Sequence, residues 1–343
     1  MARQRIAVIG LGMAVTPHAR SLIDLRDRVE VAYAFSPSAD RRRAFADRFP
    51  FPLADKLETI LEDSGIGAVA ILTPPNTHLD LVQRCAAAGK HILLEKPLEI
   101  TTERATTLVE GCRAAGVKLG VVLQHRFRPA GMALAGHVRA GDLGRLVGCS
   151  TVIRLWRPQS YYDQPGRGTK ARDGGGVLLT QGIHTLDLML SIAGPVAEVA
   201  GYATTSPVHR METEDLVCAA ARFENGAVGT IEATTAAFPG SPERIELIGE
   251  KGTASLAGTA LTIRLHDGRA IDIEPDQSAG GTGADPMAFP HDYHRSLWVD
   301  FLDSIEESRE PRVNGREALQ VHRLIDALLE SGASGRRVGI VRD

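Results

Sequence analysis

Glu95, Lys96 and Pro97 stand back to back at the end of a short apolar run, Ile92-Leu93-Leu94. That run has the length and composition of a buried strand. A lysine in a cleft, beside another positive charge, has a lowered pKa and can exchange protons near neutral pH. Glu95 and Lys96 can equally be a surface ion pair at a strand end. The three residues alone leave both readings open.

A second group lies in "DGGGVLLTQGIHTLDL", 173–188. Three glycines lead into a helical pattern on which Thr180, His184 and Asp187 recur at i, i+4 and i+7, one face. A neutral imidazole accepts a proton from a hydroxyl or donates one to a carbonyl in the reverse direction. His184 is thus a candidate to handle a proton; the alternative for a lone helix histidine is a satisfied core position. Gln124, Arg126 and Arg128 follow a late strand, and Arg167, Lys170 and Arg172 precede the glycine run. Cations converging on one pocket suit a carboxylate or phosphate, and solvated loop charge is the alternative for each. His291 and His294 have a metal-like i, i+3 spacing, but no acid or cysteine lies at ligand spacing from them, so no metal is expected.

A third group is Gly10-Leu11-Gly12, after a strand and before a helix. Gly10 permits the tight turn, and Gly12 lets the backbone approach a pyrophosphate at the helix N-terminus. The third glycine of this fingerprint is replaced by Val15. At the end of the second strand, where an acid would bind a ribose and repel a 2′-phosphate, stands Ser36, with Arg41, Arg42 and Arg43 on the next helix. Ser36 and Arg41 favour NADP(H), with NAD(H) the alternative. Otherwise the arginines are a solvated helix face.

The elements that carry these residues follow two rhythms. Over 5–95, apolar strands ("RIAVIG", "VEVAYAF", "GAVAILTPP", "HILLEKP") alternate with helical patterns, and a further unit follows with helix 101–115 and strand 117–123. This predicts a doubly wound parallel sheet with ligands at the carboxyl ends of its strands. After Leu123, apolar–polar alternation and turns at 224–226 and 266–268 predict hairpins, with helices near 178–193, 292–308 and 315–331. The expected fold is therefore two α/β domains. Residues 1–123 form the doubly wound domain, and 124–343 an α+β domain with a large, mostly antiparallel, open-faced sheet. Residues 276–290 read as a mobile loop.

The 343 residues carry a formal net charge of −3 at pH 7, so no basic field favours nucleic acid or an anionic membrane. No signal segment is evident, and no apolar run approaches the ~20 residues of a membrane span. Four well-separated cysteines fit a reducing, cytoplasmic setting.

The segments "GLGMAVTPHARSL", "TPPNTHLDLVQRCAAAGKHILLEKPLEIT", "DGGGVLLTQGIHTLDLML" and "DFLDSIEESREPRVNGREALQVHRLIDALLES" run in order over nearly the whole chain. Together they resemble the glucose-fructose oxidoreductase / inositol dehydrogenase / MocA family. The resemblance implies a Rossmann domain and NAD(P)-dependent hydride transfer at a secondary alcohol of a sugar, sugar acid, inositol or nucleotide-sugar. It implies Lys96 and His184 as catalytic residues, Glu95 along the cofactor, a cis Pro97 and a homodimer or homotetramer. The candidate cofactor residues are Gly10, Gly12, Met13, Ala14, Ser36, Arg41, Thr73, Pro74, Asn76, His78, Glu95 and Lys96. The candidate substrate residues are Gln124, Arg126, Arg167, Thr180, Gln181 and His184. Many relatives carry aspartate where Thr180 stands; Thr180-Gln181 is similar to the nucleotide-sugar uronate branch. Two rivals remain: a non-catalytic dinucleotide-sensing regulator of the same fold, and a reductase of a small non-sugar carbonyl or imine.

Overall fold

A computed structural model describes residues 3–276 and 290–341. Residues 277–289, nearly all of the expected loop, lie outside them.

The first part of the chain alternates as its sequence predicts: β1 (Gln4–Ile9), α1 (Val15–Asp24), β2 (Val29–Phe35), α2 (Ala39–Ala46), β3 (Leu53–Ala54), α3 (Leu57–Glu62), β4 (Ala68–Ile71), α4 (His78–Ala87), β5 (His91–Leu94), α5 (Thr102–Ala114) and β6 (Leu119–Val121). These strands pair in parallel in the order β3-β2-β1-β4-β5-β6. β4 is buried at every position, which explains its unbroken apolar run in place of alternation. The strand order reverses between β1 and β4, where such sheets bind ligands.

The second part opens on a 3₁₀ turn, Gln124–Phe127, then α6 (Pro129–Arg139), β7 (Leu146–Arg154) and two single turns, α7 (Gln159–Tyr162) and α8 (Lys170–Asp173). A π-helical turn, Leu178–Gly182, runs into α9 (Ile183–Ala193), so the helix predicted near 178–193 has two parts. Seven strands follow: β8 (Val196–Thr204), β9 (Leu216–Phe223), β10 (Val228–Thr234), β11 (Arg244–Gly249), β12 (Gly252–Ala257), β13 (Ala260–Leu265) and β14 (Ala270–Ile273). With β7 and β15 (Val338–Gly339) they build a nine-stranded sheet ordered β14-β13-β12-β11-β7-β10-β9-β8-β15. Every pairing is antiparallel except β7 with β10. Gly226 and Gly268 take positive φ in the predicted turns, where a side chain would be strained.

Two late helices, α10 (Asp292–Glu306) and α11 (Gly315–Ser334), depart from the predicted boundary. The chain divides into one unit of Met1–Val122 with His291–Leu319, and another of Leu123–Pro290 with Gln320–Asp343. α10 therefore belongs with the parallel sheet. Its Trp298 is fully buried, and Phe301 lies so close to Gly120 that a Cβ there would sit 2.9 Å from the ring. The main chain continues the packing, with Val121 N donating to Val313 O at 2.9 Å. The segment 170–193 is apolar enough to cross a membrane by composition, contrary to expectation. Within the fold, 78% of its most apolar window is buried, so it is a core helix of the second unit.

Candidate active site

The candidate residues of the first unit come together because parallel strands end on one edge of the sheet. Hydrogen bonds carry the ladder one residue past each strand: Gly10 N donates to Phe35 O at 2.9 Å, Leu72 N to Ile9 O at 2.7 Å and Glu95 N to Ile71 O at 2.9 Å. Gly10, Ser36, Thr73 and the Glu95-Lys96 pair thus follow the ends of β1, β2, β4 and β5.

The two glycines after β1 do different work. Gly10 has φ +105°, and a Cβ there would meet the Leu72 carbonyl carbon at 2.7 Å. Only glycine fits that approach of two backbones. Around Gly12, by contrast, nothing lies within 4 Å of a Cβ position. Met13 is exposed at 59%, and Ala14 caps α1 without a side-chain hydrogen bond. The first turn of α1 carries no acid, so no side-chain charge compensates the positive end of its dipole. An open glycine before an uncapped helix end fits the pyrophosphate of a dinucleotide.

At the end of β2, Ser36 is nearly buried, and its hydroxyl accepts from Ser38 N at 3.3 Å. The three arginines are not equivalent. Arg42 is drawn inward, donating to Ser36 O at 2.6 Å and pairing with Asp55 at 3.1 Å. Arg43 pairs with Asp40. Arg41 is exposed, with its main-chain N held by the Ser38 cap at 3.3 Å. Arg41 is therefore the arginine whose side chain these ion pairs leave for a phosphate.

After β4, Pro74 and Asn76 are exposed, and Thr77 Oγ1 donates to Pro74 O and can accept from Thr73 Oγ1, each at 2.8 Å. His78, an expected cofactor residue, packs inside the fold. It is fully buried, with Nδ1 at 3.0 Å from Pro97 O and Nε2 at 2.9 Å from Thr73 O. It clamps the loop after β4 to the loop after β5, and burial pushes its imidazole down toward the neutral form. The Lys96–Pro97 bond is cis, as the resemblance implies. Glu99 continues the clamp, accepting from Leu79 N at 3.3 Å, Ile100 N at 2.7 Å and Arg104 at 2.7 Å.

Glu95 is held from both sides. Oε2 accepts the main-chain N–H of Lys96 at 3.0 Å, and Oε1 lies 3.2 Å from His18 Nε2. Burial pushes this carboxyl up most, but the hydrogen bond from His18 and the charges nearby outweigh it and hold it below the ordinary carboxylate range. His18, Glu95 and His294 bring three ligating atoms within 4.8 Å of one another. The sequence ground for setting a metal aside, the lack of an acid at ligand spacing, therefore fails, because the fold supplies Glu95. A hydrogen bond argues against an ion instead. Trp298 Nε1 lies 3.1 Å from His18 Nδ1. An indole N–H only donates, so the proton of a neutral His18 ring sits on Nε2, facing Glu95. No lone pair is left there for an ion. His18 and Trp298 were not legible as partners, since 280 residues separate them and only the fold of α10 joins them.

In the second unit, the 3₁₀ turn presents Gln124, His125 and Arg126, all nearly buried. Arg126 is committed to Asp187, with Nε donating at 2.7 Å and Nη2 at 2.6 Å. This pair explains Asp187 as an anchor for α9. Gln124 Oε1 and Arg167 Nε are buried polar atoms with no hydrogen-bond partner among the described residues. Such atoms mark a place where a ligand or water completes the set. The Arg167 guanidinium lies over the Tyr161 ring, 5.0 Å from its centre. His184 stacks on His125, with ring centres 4.9 Å apart, and Arg128 Nη2 donates to His125 Nε2 at 2.6 Å.

The glycine run has a steric cause. A Cβ on Gly176 would sit 1.8 Å from Glu214 O, and Glu214 accepts Gly176 N at 3.0 Å and Leu178 N at 3.1 Å. That grip sets the π turn, where Thr180 Oγ1 donates to Gly176 O at 2.6 Å with the Gln181 side-chain amide close beside it.

Comparison with known proteins identifies the family. Residues 4–123 match the family model "Oxidoreductase family, NAD-binding Rossmann fold", and residues 132–255 match "GFO/IDH/MocA C-terminal domain". Myo-inositol 2-dehydrogenase of Thermotoga maritima is 27% identical over 91% of this chain and 91% of its own. D-xylose 1-dehydrogenase (NADP(+)) 2 of Haloferax volcanii is 26% identical over 90% of this chain and 91% of its own. Among solved structures, the WlbA dehydrogenase of Bordetella pertussis in complex with NADH and UDP-GlcNAcA is 28% identical. It matches with TM-score 0.84 over 100% of both chains.

Proposed function

We propose that this chain, which belongs to the Gfo/Idh/MocA oxidoreductase family, transfers a hydride between nicotinamide and the secondary alcohol or ketone of a sugar, sugar acid, inositol or nucleotide-sugar. The observation that carries this reading is the single sheet edge on which Gly10, Ser36, Thr73 and Glu95-Lys96 follow successive strand ends. Gly12 and the first turn of α1 hold the pyrophosphate, and Ser36 with Arg41 receives the adenosine end. When bound, nicotinamide supplies the hydride acceptor or donor. Lys96 Nζ takes the proton of the substrate hydroxyl, or returns it to the ketone. His184 is the second proton-handling residue, and Gln124, Arg167, Thr180 and Gln181 orient the substrate.

NADP(H) is the preferred cofactor in this reading, because Ser36 carries no repelling charge and Arg41 is uncommitted. The relatives include one named for NADP(+) and one bound to NADH, so the cofactor is decided by titration. Nicotinamide fluorescence with NADPH and NADH tests it directly. Tight NADPH with weak NADH supports the Ser36–Arg41 reading, and binding of neither sinks the whole assignment. The Thr180-Gln181 pair and the WlbA likeness favour a nucleotide-sugar uronate, to be screened beside myo-inositol and D-xylose. A protein that binds cofactor and turns over none of a broad panel of polyols, sugars and nucleotide-sugars is the dinucleotide-sensing regulator instead.

A second copy of the chain is the proposed partner. One face of the large sheet exposes Tyr202 (79%), Val228 (56%) and Ile248 (53%), more apolar surface than a solvated sheet face needs. Light scattering during size exclusion distinguishes a monomer from a dimer or tetramer. The four unpaired thiols fit a reducing compartment.

A further inference from the structure

His18 is a buried titratable group that the proposed reaction does not use. It is wholly inaccessible on α1, yet both its ring nitrogens are engaged. The direction of every bond in its chain is fixed by chemistry. Trp298 Nε1–H donates to His18 Nδ1, so Nε2 carries the ring proton and donates to Glu95 Oε1. Glu95 Oε2 then accepts the main-chain N–H of Lys96. The bonds thus converge on the Glu95 carboxylate, from α10 through α1 on one side and from the backbone of the lysine after β5 on the other. His294 packs edge-on against the His18 ring at 5.0 Å, which blocks the ring from swinging toward α10.

We propose that His18 is a positioning residue for Lys96, with Trp298 fixing the His18 tautomer so that Nε2–H holds the Glu95 carboxylate ionised and in register under the lysine backbone. The proposal rests on the reading of Lys96 as the proton-handling group. A carboxylate in so dry a place protonates unless a donor meets it. The groups that face Glu95 are His18 from α1, His294 from α10, Lys96 beside it in the chain and His78 at the start of α4. Burial pushes His294 down to about 3, so it brings no charge to Glu95 near neutral pH, and burial lowers His78 as well. The donor at Glu95 Oε1 is therefore a single bond from a ring whose proton is placed by an indole. This assigns Trp298 a part in the site although it lies in the C-terminal third of the sequence.

The test compares His18→Leu, His18→Gln and Trp298→Phe in the full chain with NADH or NADPH bound. Glutamine keeps an N–H at the position of Nε2, and leucine does not. Nitrogen-15 NMR of labelled histidine should show His18 in the Nε2–H form in the wild type and a mixture of tautomers in Trp298→Phe. Carbon-13 NMR of labelled glutamate, assigned with Glu95→Gln, should show the Glu95 midpoint moving upward in His18→Leu and returning in His18→Gln. With whichever of myo-inositol, D-xylose and UDP-GlcNAcA the wild type oxidises, His18→Leu should lower kcat about tenfold with KM little changed, and His18→Gln should recover most of it. An Nδ1–H tautomer in the wild type overturns the proposal, as does equal loss in the leucine and glutamine variants. If leucine does not fold, Trp298→Phe and His18→Gln still decide the matter by tautomer and Glu95 midpoint. Near-wild-type turnover in Lys96→Ala would sink the functional reading instead and leave the tautomer result standing.

Discussion

Arg126 and Asp187 form a buried two-point ion pair, Nε to Oδ2 at 2.7 Å and Nη2 to Oδ1 at 2.6 Å, which ties the 3₁₀ turn to the helix that carries His184. The Asp187 side chain is completely inaccessible, and that of Arg126 is 8% exposed. Removing one partner strands the other charge away from water, at a cost of about 3–5 kcal/mol. Asp187→Ala should therefore lower the urea midpoint sharply. The double variant Arg126→Met/Asp187→Leu should recover most of that loss, because two apolar groups of similar size leave no orphaned charge. Equal damage in the single and double variants would mean that the pair does more than hold the helix.

The two glycines after β1 separate folding from binding. Alanine at Gly10 meets the Leu72 carbonyl at 2.7 Å in a positive-φ conformation, so Gly10→Ala should cost more than ~2 kcal/mol of stability. Alanine at Gly12 meets nothing within 4 Å. Gly12→Ala should leave the denaturation midpoint within ~0.5 kcal/mol of wild type and weaken cofactor binding at least about tenfold, because its methyl occupies the space left for the pyrophosphate. A Gly12→Ala protein with unchanged cofactor affinity would remove that turn from the site.

Lys96→Ala should lower kcat by ~10²-fold or more with little change in cofactor affinity, the usual scale of acid–base catalysis. His184→Asn, which keeps a polar group without an imidazole, should also lower kcat. Stopped-flow absorbance at the nicotinamide band, beside a cofactor titration of each variant, separates chemistry from binding.

Stability should fall with acid in a window set by the buried histidines. Burial pushes the His294 imidazole down to about 3, whereas the same group in the unfolded chain titrates near 6.5. The unfolded chain then binds more protons between those values. The contribution is complete above the unfolded pKa and is lost progressively as pH falls toward the folded one, by on the order of a few kcal/mol. His78, also lowered by burial, has the same sign. Thermal denaturation from pH 7 to pH 4 should show a shallower decline in His294→Gln than in wild type. Parallel curves would show that the ring is hydrated in solution.

The sequence reading reached the sheet because local pattern determines it: unbroken apolar runs give β1, β2, β4 and β5, and the glycines at 226 and 268 give the hairpin turns. It placed Gly10, Gly12, Glu95 and Lys96 after the ends of β1 and β5 because residues adjacent at a strand end stay adjacent in the fold. It did not reach the protein partners of Arg126 and His78, since residue type and position do not reveal a partner 61 residues away or main-chain carbonyls across a loop. His18, Trp298 and α10 were missed as neighbours of Glu95 for the same reason. Their only local signal is a histidine on the helix after the glycine turn, which one sequence cannot separate from an ordinary core residue.

The return of residues 291–319 to the parallel sheet has a consequence for how the protein comes into being. A ribosome that has released residue 122 has made all six strands of that sheet, but not the helix that buries Trp298 or the strand-like segment that bonds Val121. The nascent cofactor half must wait through the whole of residues 123–290, on the order of ten seconds or more at synthesis rates of ~5–20 residues per second. During that interval the Gly120 side of the sheet lies bare. Cotranslational chaperones therefore have a defined face and a defined period in which to act.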